Sequence, residues 1–498
     1  MSRGPDDRDG PGLRRMSGLD GAFLAFESPT THLHIVGAMV FDPLGLPGGG
    51  ILGFRQMRDA IADRVHLVPP FRQRLVEVPF GLQHPSLVDD PDFNVDFHVR
   101  RASLPRPGGP GELATLVADI AARPLDRRRP LWEFHVVEGL DHGYVALVSK
   151  VHHAIIDGVS GAEILAVFFD VAPDAPGPGG AGTAWSPEPV PGDVDAVRRA
   201  LGSIPSQTEA AARTLGRTVR TIRSLNEHNR MVPGVLPPSP FEAPRTSINR
   251  AISPHRRVAF TEVPLSEVRR VREVLGGTVN DVVLTVVAGA MRSFFADRGE
   301  ELEHSLVAMV PVSVRSDDER AALGNRISAM LVSLATGVED PAARLRLIRD
   351  GMALAKGQQR AVGSEVFSSW AQALFPAVAT RAARLLSNLR LFDHLPPLFN
   401  VIVSNIPGPD FPLYLAGARM EAMYPFGPIM EGAGVNVTVF SYQGTMYFGI
   451  LACWDLVPDV ERIAAGLHDS LDALVKEADR RDRPVPWWHG DAPAGGAD

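Results

Sequence analysis

The chain has 498 residues, enough for two or three domains, each with a sizeable core. Hydrophobic residues make up 45% and charged residues 22%, which excludes a disordered chain. The formal net charge of −8 gives no general electrostatic reason to bind nucleic acid.

Residues 1–14 are polar, charged and Gly-rich, lack the apolar core of a secretory signal, and are expected to be disordered. A first half, residues 15–172, mixes strand-like and helix-like runs. Within it Tyr144–Val151 reads as a strand and Glu163–Val171 as a helix. Pro173–Asp193 is dense in Pro and Gly and reads as a linker. A helix follows over 193–230, with Leu215, Val219 and Ile222 on one side and Arg213, Arg217 and Arg220 on the other. It either packs on the protein with its arginines solvated or lies on an anionic lipid surface. Met231–Pro244 is a second Pro-rich break, so 173–245 forms a linker with an embedded amphipathic helix.

The second half, 246–478, alternates helices with strand-like runs at Arg257–Val263, Leu306–Val314, Ile327–Leu334 and Phe399–Ser404. Gly432–Trp454 is the longest uncharged stretch, but its polar residues alternate with apolar ones around Tyr442-Gln443-Gly444-Thr445. That pattern predicts a hairpin rather than a membrane span. Val366–Thr380 is apolar but broken by Pro376 and followed by Arg381 and Arg384, which argues against spanning. Residues 479–498 are expected to be a disordered tail. Mixed element order in both halves predicts an α/β fold, α+β mixed, rather than a bundle or a sandwich.

Cys453 is the only cysteine, which excludes an intrachain disulfide and a cysteine zinc site and suits a reducing cytoplasm. The chemistry concentrates instead in Val151-His152-His153-Ala154-Ile155-Ile156-Asp157-Gly158, between the predicted strand and helix. On a strand running through His153, the two imidazoles point to opposite faces, so they cannot share one metal ion. No third ligand stands at zinc-like spacing, and metal-assisted hydrolysis is disfavoured. His153 shares its face with Val151, Ser149 and Leu147. A neutral imidazole with a pKa of ~6.5 suits removal of a proton from an alcohol that then attacks a thioester. A lone strand histidine is usually packed or solvated without chemical role; the full H-H-x-x-x-D-G at a strand-to-helix junction is far more specific.

Asp157 would suggest a triad, yet no G-x-S-x-G elbow is present and Cys453 has no nucleophile context. Asp157 is better read as structural, paired with Arg72, Arg74 or Arg315 to fix the turn that presents His153. Gly158 suits a tight backbone conformation there, and Ser160–Glu163 forms a capping-box pattern for the next helix.

Further motifs stand in order along the chain: Met16-Ser17-Gly18-Leu19-Asp20 with Phe23-Leu24 and Glu27, Pro130-Leu131-Trp132, and Asn280-Asp281-Val282-Val283-Leu284. Pro311–Arg315, Gly324-Asn325, Ser404–Pro409 and Asn436-Val437-Thr438 follow. Together with the histidine tract the chain resembles, over about 16–470, the bacterial wax ester synthase/acyl-CoA:diacylglycerol acyltransferase family. The resemblance implies two chloramphenicol-acetyltransferase-like domains with an active-site channel at their interface. It implies long-chain acyl-CoA as one substrate, and a diacylglycerol or fatty alcohol as the other. It makes His153 the general base and Asp157 an ordering residue, with His152 in the same catalytic set. It calls for no cofactor and no metal.

Each supporting motif also has a plainer reading. Trp132 serves either as a core anchor or as a substrate contact. Thr278 to Asp281 makes a good helix start, while the Asn280 amide is a candidate donor to the thioester oxygen. Asp281 joins it as a candidate substrate contact, as do Ser404 and Asn405, whose segment is a turn by composition or a wall of the acyl channel. Two rival functions remain at this level: a carrier-protein-dependent condensation domain, for whose partner domains the chain has no room, and a non-catalytic lipid-surface protein. Insoluble acceptors lead us to expect a cytoplasmic protein held peripherally on the inner membrane or on lipid inclusions.

Overall fold

A computed structural model describes residues 14–16, 18–44, 46, 52–77, 84–156, 166–175, 238, 242–313, 327–362, 391–394 and 396–482. Asp157, Gly158, the Ser160–Glu163 cap, Arg315, Gly324-Asn325, Val366–Thr380, almost all of the linker and amphipathic helix, and most of both termini lie outside these residues.

The first half runs β1 (Arg14–Arg15), α1 (Gly18–Phe26), β2 (His34–Asp42), α2 (Phe54–Val65), β3 (Gln73–Val76), β4 (Ser86–Asp89), the one-turn α3 (Val95–His98), β5 (Val99–Ser103), α4 (Pro110–Ala122), β6 (Trp132–Glu138), β7 (Val145–His152) and α5 (His153–Ile156). The second half continues with β8 (Arg256–Pro264), α6 (Leu265–Leu275), α7 (Val279–Asp297), β9 (Val307–Ser313), β10 (Ile327–Ser333) and α8 (Pro341–Val362). It closes with β11 (Val401–Ile406), β12 (Tyr414–Leu415), β13 (Ala418–Phe426), β14 (Val435–Tyr442), β15 (Thr445–Cys453) and α9 (Glu461–Asp482).

Two six-stranded sheets result, in the orders β12-β13-β2-β7-β6-β5 and β10-β9-β11-β14-β15-β8, beside a small β1-β4-β3 sheet. The first large sheet therefore takes two strands from the second half of the chain. β13 pairs antiparallel with β2, with Phe426 opposite Val36 and Tyr424 opposite Ala38. Strand alternation then sorts the core. Val36, Ala38, Ala146 and Val148 face α4 together with Val258, Leu451 and Cys453 of the second half. Phe41, Leu147, Val151 and Trp132 face α2 through Met57, Ile61 and Val65. β7 is covered on both sides, and its outgoing end is where the histidine tract begins.

The predicted hairpin is present: Tyr442 pairs with Thr445 across a two-residue loop. Gln443 (φ 45°) and Gly444 (φ 77°) both take the left-handed conformation that such loops require. α7 is long and apolar enough to cross a bilayer, but most of it is buried inside the protein, where it serves as a core helix. The expected helix start is there as a capping box, with Thr278 Oγ1 accepting from Asp281 N at 3.2 Å and the Asp281 carboxylate accepting from Thr278 N at 2.8 Å.

β15 passes so close to β13 that a Cβ on Gly449 would lie 1.8 Å from the Pro425 carbonyl oxygen. Gly449→Ala is expected to cost about 1–3 kcal/mol by overpacking. Urea unfolding measures it, and a wild-type midpoint would mean that the two strands leave room for a methyl group.

Candidate active site

The strand does not run through His153, as alternation had suggested. It ends at His152, whose backbone N–H donates to Leu131 O at 3.0 Å, and His153 opens helix α5 with its own N–H on Leu33 O at 2.9 Å. The two imidazoles therefore part because one belongs to a strand and the next to a helix turn.

His152 is 1% exposed and opposite His34 in the β2/β7 register. Ala154 N donates to His152 Nδ1 at 3.0 Å, so that nitrogen keeps its lone pair and Nε2 carries the proton. Nε2 stands 3.0 Å from Oε1 of Glu27, just beyond α1, and His34 Nε2 lies 3.5 Å from the same oxygen. The other Glu27 oxygen accepts from Arg127 Nη2 at 2.5 Å and Nε at 3.0 Å, while Arg127 Nη2 also donates to Leu24 O at 2.7 Å. Burial alone pushes the Glu27 carboxyl up, but His152 and then His34 outweigh it and hold it well below the usual carboxylate range. His32 stacks on His34 at 5.6 Å and completes a ladder of imidazoles. Burial holds His34 down to about 3 against the pull of Glu27. Burial, then the Arg256 charge, holds His32 down to about 4.

His153 stands outside this cluster. Its ring lies on Phe23 of α1, centroids 4.3 Å apart and planes at 33°. Burial, then the neighbouring His152, lowers its pKa to about 4, with its own carbonyl pulling weakly the other way. The imidazole is therefore a neutral free base throughout the cellular range.

Glu27, His34 and His152 place three ligand atoms within 4.8 Å of one another, a grouping that could hold a metal ion. The donor set does not suit one. A metal on His152 Nε2 would call for a proton on Nδ1, which instead accepts from Ala154 N. Arg127 has already neutralised Glu27.

Several residues singled out in the sequence take other roles. Trp132, a candidate substrate contact, is 0% exposed, stacks between His98 and Phe71, and gives its indole N–H to Phe71 O at 2.8 Å. It anchors the core and is closed to substrate. Asp281 is equally committed, since its carboxylate caps α7 inside the protein. Arg74 faces Asp90 at 3.8 Å, and Arg72 is half-buried at the end of the Pro69–Arg72 turn. Asn280 is half-buried beside the α7 cap, and Ser404 and Asn405 are half-buried on β11, paired with Thr438 and Val439. No described hydrogen bond or ion pair of these last three reaches His153. Glu27, His32, His34 and Arg127 were missed as site residues. The His32-x-His34 spacing, which puts two imidazoles on one side of an extended chain, was the available signal.

A family model described as the wax ester synthase/diacylglycerol acyltransferase catalytic domain matches residues 16–283, and the C-terminal domain of the same family matches residues 323–475. The chain belongs to this family. A Mycobacterium tuberculosis relative named "Putative diacyglycerol O-acyltransferase Rv1760" is 36% identical, with 96% of this chain and 93% of the relative covered. A second from the same organism, Rv3740c, named likewise, is 36% identical over 93% of this chain and 99% of its own length. The solved wax ester synthase/diacylglycerol acyltransferase of Marinobacter aquaeolei VT8 is 29% identical with a TM-score of 0.63, covering 93% of this chain and all of that one. A Fusarium sporotrichioides trichothecene 15-O-acetyltransferase shares only the fold, at 12% identity and a TM-score of 0.55, covering 93% of this chain and 95% of that one. This acyltransferase thus has the two-sheet, acetyltransferase-like architecture that the motifs implied.

Its histidines with lowered pKa values set an acid limit. Unfolded, they titrate near ~6.5; folded, His32 and His153 protonate only at about 4 and His34 at about 3. The unfolded acyltransferase therefore binds more protons as pH falls through that window, and stability present above pH ~6.5 is lost toward pH 4. His32→Gln should flatten this fall by about one proton's worth of slope in thermal melts from pH 7 to 4. A variant profile parallel to the wild-type one would contradict a buried, neutral His32.

Proposed function

We propose that this protein transfers a long-chain acyl group from acyl-CoA to the hydroxyl of a diacylglycerol or a fatty alcohol, with His153 as general base. The observation that carries the reading is the contrast between the paired histidines. His152 is locked to Glu27 and to the Ala154 amide, whereas the His153 ring has only Phe23 against it among described aromatic neighbours and stays neutral. In the proposed reaction the imidazole takes the hydroxyl proton as the acceptor oxygen attacks the thioester carbonyl. The tetrahedral intermediate then expels the CoA sulfur, which recovers that proton as the C–S bond breaks. Glu27 acts as a positioning residue, holding His152 and with it the start of α5.

The test is release of free CoA from palmitoyl-CoA in the presence of hexadecanol or diolein. His153→Ala should lower turnover about 10²-fold or more while keeping the wild-type melt. Equal turnover in mutant and wild type would remove the role given to His153. The acid limb of kcat/KM should fall near pH 4 rather than near ~6.5, because the free-enzyme imidazole is held down by burial. An acid limb at the ordinary imidazole value would mean that another group titrates.

Work on insoluble acceptors also leads us to propose peripheral attachment to a lipid surface. Support comes from Ile406, the last residue of β11, and Phe411 on the segment that follows, which both stand exposed. Ile406→Ser/Phe411→Ser should reduce flotation with liposomes; unchanged flotation would rule out this segment as the contact.

A further inference from the structure

A cleft of about 510 Å³ lies between α4, the start of β8 and α9, and His153 is not among its lining residues. Its volume falls inside the range of about 300–1,000 Å³ of small-molecule sites. One wall is the face of α4 formed by Gly111, Ala114, Ala118 and Ala122, which recur at helical spacing and leave a slot with no bulky side chain. The opposite wall is Arg256 to Phe260, and Trp454 stands at the edge.

Nearly all charges here are matched. Arg257 lies over the Trp454 ring at 4.6 Å and pairs with Glu461 at 3.2 Å. Asp119 pairs with Arg123. Arg256 is the exception. It is 5% exposed and donates only to the carbonyls of Ser253, His255 and Thr30. No ion pair to a carboxylate is described for it; burial lowers its pKa to about 10, with Cys453 and then Glu431 pulling the other way. Those three bonds leave its Nε–H and one Nη2–H without a described acceptor. A desolvated guanidinium with unspent donors beside an apolar slot is complementary to a carboxylate bearing a slender tail.

We propose that this cleft is a second lipid site, distinct from the transfer centre, which takes a long-chain fatty acid with its carboxylate on Arg256 and its tail along α4. The site is wired to the histidine ladder. Arg256 holds the Thr30 carbonyl two residues from His32, and its charge helps keep that imidazole neutral. An anion on Arg256 offsets that charge, so occupancy moves the His32 titration upward and reports inside the acyltransferase centre.

Dodecanoate titrated into the full-length protein, followed by calorimetry, should bind with one site per chain. Dodecanol and dodecyltrimethylammonium should bind at least about tenfold more weakly, the loss expected for a missing charged hydrogen bond. Ala114→Leu and Ala118→Leu, which fill the slot without touching Arg256, should weaken dodecanoate about tenfold or more. His153→Ala should leave that binding intact. In histidine NMR, dodecanoate should raise the His32 titration midpoint. Unchanged affinity in both leucine variants, equal binding of all three amphiphiles, or loss of binding in His153→Ala would overturn the proposal, the last by placing the ligand in the transfer channel. Because the readout is binding, inactivity toward acyl-CoA would count against the proposed reaction and leave this test standing.

Discussion

One largely enclosed carboxylate organises the first half of the molecule. Glu27 follows α1, yet its two oxygens reach β2 through His34, the end of β7 through His152, and the segment before β6 through Arg127. An ionised carboxylate in such a place is strongly disfavoured unless it is paired on every side. Here a guanidinium takes one oxygen and two imidazoles take the other, so the ion is compensated and its position is fixed. Because His152 is the last residue of its strand, fixing its ring also fixes where the chain leaves the sheet, and therefore where His153 begins.

The same logic of enforced proximity joins the two halves. β13 lies late in the sequence, but its hydrogen bonds are to β2, and its far edge carries β12. The following segment returns at once to β14 and β15 in the other sheet. Gly449 lets β15 pass directly against Pro425, while Glu431 takes the Thr30 hydroxyl at 2.6 Å and the Ile252 amide at 3.0 Å. The residues just before the histidine-bearing β2 are thus held by groups from the second half of the chain, and so the site depends on the union of both halves.

How much of this was legible in the sequence follows from the range of each interaction. The α7 cap and the Tyr442–Thr445 hairpin are local, set by residues within three or four positions, and both were readable. The strands at Arg256–Pro264 and Ile327–Ser333 were also readable, because their apolar runs fill a core. What one chain segment cannot announce is its distant partner. Nothing in Ala418–Phe426 says that it belongs to the sheet of the first half. Nothing near His152 says that its proton faces Glu27, 125 positions away. Trp132 illustrates the reverse error. A large aromatic in a recognisable motif invites a functional reading, but its indole N–H is spent on Phe71 and both faces are stacked. Strand alternation misled at His153, since period-two reasoning holds only while the strand lasts.

Two adjacent imidazoles with the same intrinsic chemistry thus reach opposite conditions through their surroundings. His152 has the Glu27 carboxylate 3.0 Å from one nitrogen and a backbone donor at the other, so its ring is held in place. His153 has an aromatic ring for a neighbour and a low dielectric around it, which penalises the imidazolium and preserves the free base. Environment, not residue type, divides the roles. The doubled histidine thus sets a ring held beside a carboxylate next to a ring packed on an aromatic one.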